Sequence, residues 1–136
     1  MFNETDILKL DSIILSDNVV DNFYDNYNNN SSFKNWIDTN IPSIKRCEEQ
    51  EQNNPWHKYN VLGHILHSVE EMNKLSKHLP YNIKRILSYT MFFHDIGKPQ
   101  TRKEDFKTDN NGINQKIITF FSRDRTCFFC GRNVSV

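Results

Sequence analysis

Between Asn60 and Leu79 the chain carries Val61, Leu62, Ile65, Leu66, Val69, Met72 and Leu75. Spacings of three and four gather such residues onto one side of a helix. A helix with so long an apolar stripe must bury it against other elements. Glycine and proline number only four each in 136 residues, and few segments alternate as strands do. The partners are therefore expected to be helices, in a compact all-α bundle. The length supports one domain with its own core and hardly two, so residues 1–136 are read as a single unit.

The flanking segments fit this reading. Residues 5–27 repeat apolar side chains from Ile7 to Tyr27 at helical spacing, as one bent helix or two short ones closed by the Asn run. Ser32 is placed to cap a short helix through Trp36 and Ile37, and Pro42 to interrupt or restart the chain. The run CEEQEQNN reads as a solvated turn or helix end. Pro80 stops the Asn60–Leu79 helix, and Asn82 is the expected cap of the next, roughly Ile83 to Ile96. Gly97 is the expected stop of that helix, and Pro99 discourages more. Residues 100–116 read as a polar loop.

The net charge is zero, yet unevenly spread. Residues 1–30 hold six acids against one lysine, and residues 98–136 eight bases against four acids. The gradient favours a phosphate-bearing ligand near the C-terminal half, and is too weak for a general nucleic-acid binder. Three cysteines, an odd number, argue against a disulfide scaffold. No run reaches the roughly 20 apolar residues of a membrane span, and no signal segment opens the chain. A reducing cytoplasm is the expected setting, with no membrane partner. Cys127 and Cys130 form a CxxC pair, but zinc would need two more soft ligands, and Phe128 and Phe129 between them suggest a packing tail.

The chemistry concentrates in MFFHDIGK, Met91 to Lys98. A His-Asp pair at the inner end of an apolar segment is either a helix end with a satisfied histidine or a metal site. Two antiparallel helices joined by a short turn can bring His64 level with His94 and Asp95. That mixed nitrogen and oxygen set suits a divalent transition metal (Mn, Fe, Ni, Co or Zn) better than Mg.

WHKYNVLGHILHSVE followed by FFHDIGK resembles the HD-domain superfamily of metal-dependent phosphohydrolases, nearest to the HD region of bacterial tRNA nucleotidyltransferases. The likeness spans roughly residues 35 to 121, with no nucleotidyltransferase head domain. It implies an HD-type helical fold with His64, His94 and Asp95 as metal ligands. It implies hydrolysis of a phosphate ester, in which a divalent metal acidifies a water and neutralises phosphoryl charge. Asp95 would orient or deprotonate that water. Lys98 would pair with phosphate as a flexible point charge. His57, seven residues before His64, would line the pocket mouth or donate to phosphate. A phosphorylated small molecule, a nucleotide or the phosphorylated end of an RNA is chemically admissible.

Two departures stand out. The family supplies a fourth ligand, an aspartate on a later helix, and this chain stops before that helix. Where relatives read Phe-x-Gly-His, FFSR places Ser122 at the glycine and Arg123 at the histidine. Residues 122–136 are thus a diverged or truncated tail. The rival expectation is an inactive HD-like domain that binds a nucleotide, RNA or protein partner. Self-association is expected for a bundle left short of helices.

Overall fold

The computed structural model describes residues 4–51 and 59–120. Among these residues six helices form a bundle: α1 (Glu4–Ile14), α2 (Val19–Asn29), α3 (Ser31–Asn40), α4 (Ser43–Glu49), α5 (Val61–Leu75) and α6 (Tyr81–Phe93). A single-turn 3-10 helix, Lys98–Thr101, then leads into strands β1 (Arg102–Thr108) and β2 (Asn114–Phe120). The helical bundle expected from the stripes is what the chain forms. No helix among the described residues is long and apolar enough to cross a membrane.

Helix α5 lies at the centre, packed against α2, α4 and α6. Its Val61, Leu62, Ile65, Leu66 and Val69 are wholly buried. Phe23 of α2 joins the layers, its ring stacked on Tyr27 and tilted against Phe92 of α6 with centroids 6.4 Å apart. The expected continuation of the α5 stripe fails in its last turn: Leu75 is 71% exposed, whereas Asn73 is buried. The reason is polar. Asn73 Nδ2 donates to the carbonyls of Ile14 and Ser16, both at 2.8 Å, and so satisfies the orphan acceptors at the end of α1. Ser88 of α6 donates in turn to Asn73 Oδ1 at 2.5 Å. Asp11 ties the same helices from outside, accepting from Tyr89 at 2.8 Å and Arg85 at 2.9 Å.

Several boundaries differ from the sequence expectation. Residues 5–27 form two helices, one of the two expected arrangements, and the Asn run supplies both the end of α2 and the cap of α3. Asn30, rather than Ser32, accepts from Phe33 N at 3.1 Å, because Ser32 already stands inside the first turn. Pro80 precedes α6 directly, so Asn82 falls within the helix. That helix ends at Phe93, three residues early, and Gly97 at φ −87° is no left-handed stop. Pro99 sits in the 3-10 turn, where its missing N–H costs little.

The largest correction concerns residues 100–116, which are not a loop. β1 and β2 pair antiparallel from Arg102↔Phe120 to Thr108↔Asn114. Gly112 at φ +77° makes the turn, with Asp109 Oδ1 accepting from Asn111 N and Ile113 N, both at 2.9 Å. Phe106 is 70% exposed in a strand otherwise polar, which is why no alternating face marked it. The turn signal Asp109-Asn110-Asn111-Gly112 was the legible clue.

Candidate metal centre

His64 is set by the start of α5. Asn60 caps that helix, its side chain accepting from Gly63 N at 2.7 Å, and its Nδ2 reaches Glu48 O at 3.0 Å. Gly63 is required for this closeness: a Cβ there would stand 3.0 Å from both Asn60 Oδ1 and Tyr59 Cβ. Sequence reasoning passed over this glycine. Gly63→Ala is expected to strain the cap, at a cost of about 1–2 kcal/mol that the better helix propensity of alanine, about 1 kcal/mol, only partly offsets. Urea unfolding would read the net loss, and a raised midpoint would show that the cap shifts without cost.

His94 stands at the C-terminal cap of α6 and Asp95 follows in the exit turn. The turn is pinned by Lys98 N to Asp95 O at 3.0 Å and by the buried Cys47, whose thiol lies 3.5 Å from the Ile96 carbonyl. Because α6 runs back along α5 after a short link, its end meets the beginning of α5. His64 Nε2 and His94 Nε2 each lie 3.2 Å from Asp95 Oδ2. The three ligand atoms all fall within 4.8 Å of one another.

The spacing suits an ion. Metal bonds of about 2.0–2.2 Å place neighbouring ligand atoms about 2.8–3.6 Å apart across octahedral and tetrahedral shells. The outer partners suit it too. His94 Nδ1 is 2.5 Å from the Met91 carbonyl, which can only accept, so Nδ1 carries the proton. The neutral ring then turns the Nε2 lone pair towards Asp95, as metal-binding histidines do. A lone pair and a carboxylate oxygen repel at that distance. A cation, whether a proton on Nε2 or a metal, makes the arrangement favourable.

Lys98 completes the cluster, its Nζ 2.8 Å from the same Asp95 Oδ2. Burial alone would raise the Asp95 pKa, but hydrogen bonds from His64 and His94 and the Lys98 charge hold it well below the usual carboxylate range. Burial would lower the His94 pKa, but the Asp95 hydrogen bond and charge outweigh it and the net shift is upward.

These shifts have a pH signature in metal-free protein. The raised His94 pKa contributes stability that is whole below 6.5 and is lost as pH rises through the folded value. The depressed Asp95 pKa contributes stability that is present above 3.8 and is lost as pH falls through its folded value. Thermal unfolding in chelator should therefore show Tm falling from pH 6 to pH 8 more in the wild type than in His94→Gln. Parallel profiles would show that His94 does not titrate with folding.

The remaining candidates fall elsewhere. His67, one turn beyond His64, stacks on Tyr59 with ring centroids 4.0 Å apart and takes no part in the cluster. His57, Ser122, Arg123 and the Cys127 and Cys130 pair lie outside the described residues. The chain matches no family model, no curated protein and no solved structure. What stands is a helical bundle in which His64, His94 and Asp95 form a cluster able to coordinate a metal ion.

Proposed function

We propose that the chain is a metal-dependent phosphohydrolase of HD-domain type, acting on a nucleotide or other phosphate ester in the cytoplasm. The observation that carries this reading is the convergence of His64 Nε2, His94 Nε2 and Asp95 Oδ2, with His94 oriented through Met91. A divalent transition metal would be held by those three atoms and would supply an acidified water and charge neutralisation at phosphorus. Asp95, acting through its second oxygen, is the group assigned to orient or deprotonate the attacking water. Lys98, which lies beside the three candidate ligands, is assigned to the phosphoryl oxygens. His57, outside the described residues, keeps its assignment to the pocket mouth or to phosphate.

One observation favours a second reading. His64, His94 and Lys98 all reach Asp95, so the cluster is electrostatically complete with protons alone. Such a centre suits an inactive relative that binds a nucleotide, RNA or protein. The two readings part in one assay, the release of inorganic phosphate from a panel of nucleotides with Mn, Co or Ni. Turnover that disappears in a His94→Ala, Asp95→Ala double variant supports the enzyme. Metal binding without turnover on any substrate leaves the binder.

A further inference from the structure

The Asp95 oxygen nearest both histidines is also the one that Lys98 holds. Nζ lies 2.8 Å from Oδ2, nearer than either ring nitrogen at 3.2 Å. The contact is built in rather than incidental. Lys98 N–H donates to Asp95 O at 3.0 Å, closing a turn that returns the lysine side chain over the carboxylate. That side chain is only 18% exposed, so water weakens the pair little. A metal taking His64, His94 and Asp95 Oδ2 would share this oxygen with a second cation. The two charges repel across a few ångströms in a partly dry site.

We propose that Lys98 is an internal competitor for the metal: its ammonium neutralises Asp95 in the metal-free protein and must leave Oδ2 when an ion loads. The proposal rests on the metal reading above. Lys98 then sets the affinity of the centre, and ions that bind weakly are excluded because they cannot displace it. The displaced ammonium remains tethered at the rim, so its anion-binding role begins only once the metal is in place. Metal first and phosphate second is the resulting order.

The test is calorimetric titration of the chelator-stripped full chain with Mn or Ni alone. Lys98→Met keeps the aliphatic stem and removes the charge, and should bind at least about tenfold more tightly than wild type, the size of a typical coupling between linked sites. Lys98→Arg keeps a competing cation and should stay near wild type. Binding by Lys98→Met where wild type binds nothing would support the proposal most directly. Equal or weaker binding by Lys98→Met overturns it and leaves the metal reading standing. No binding by either protein overturns both. Adding His94→Ala to Lys98→Met should abolish the heat, and persistence of the heat would put the ion elsewhere and also overturn the proposal. A readout independent of mutation is acetylation of Lys98 by an activated ester, followed by peptide mass spectrometry. Metal should speed it in the wild type, and slower labelling counts against displacement.

Discussion

Replacing His94 with alanine is expected to remove stoichiometric transition metal from the purified protein, with affinity lost by more than about 100-fold. Even outer partners of metal-bound histidines carry roughly 10–100-fold, and on the proposed reading His94 would be one of three ligands, its removal leaving two. The loss should be visible by elemental mass spectrometry after incubation with Mn or Ni, and Asp95→Asn should act alike. Asparagine keeps the shape of Asp95 but surrenders the charge that attracts the ion. The fold should survive both changes, because His94 and Asp95 lie in the exit turn beyond α6, while the core runs through Phe23, Phe92 and the α5 stripe. A far-UV spectrum of the variants checks this directly. Metal retained at wild-type levels in the His94 variant would mean that the three-atom cluster does not hold it.

The largest expected effect on stability is at Asn73, far from the chemistry. Asn73→Leu keeps the branched outline of the side chain, with bulkier methyl groups in place of the amide, and leucine is the better helix former by a few tenths of a kcal/mol, so the loss comes from the polar partners. Three polar groups lose their partner at once: the Ile14 and Ser16 carbonyls and the buried Ser88 hydroxyl. Each unsatisfied buried group costs about 1–3 kcal/mol, and Ser16 O keeps some access to water, so about 4 kcal/mol is the expected sum. Ser88→Ala should cost less, about 1–3 kcal/mol, since it leaves only Asn73 Oδ1 without its donor while Nδ2 stays engaged. In the Asn73→Leu background, Ser88→Ala should be neutral or stabilising, because no orphaned hydroxyl then remains. Urea denaturation of the four proteins gives this cycle. A cost below about 1 kcal/mol for Asn73→Leu would show that water reaches the carbonyls.

Much of this was legible in the chain. The spacing from Val61 to Val69 dictated a buried helix, because only a 3.6-residue period brings those side chains together. MFFHDIGK marked the site for a similar reason: an apolar helix that ends in His-Asp leaves two ionisable groups at the edge of the core. His64 was found through the order of motifs, and two antiparallel helices of matched length placed it opposite.

Other features depend on contacts between segments distant in sequence. Asn73 looks like an interruption of the α5 stripe and Leu75 like its continuation. Their burial is reversed because the end of α1, some sixty residues away, presents carbonyls that need a donor. The hairpin was hidden for the opposite reason: β1 is polar apart from an exposed Phe106, so it lacks the alternation that betrays a half-buried strand. The pairing of Lys98 with Asp95 was invisible as well. Sequence put a lysine after the glycine and suggested a phosphate for it, since charge type can be read from a letter. Its direction was set only when the exit turn closed on Cys47 and folded the ammonium back onto the carboxylate. Periodicity and residue chemistry determined the helices and the donor set, because both are local properties of the chain. The register of the donors, the competitor among them and the polar lock behind them were decided by tertiary structure, because each depends on where a distant backbone leaves its unsatisfied groups.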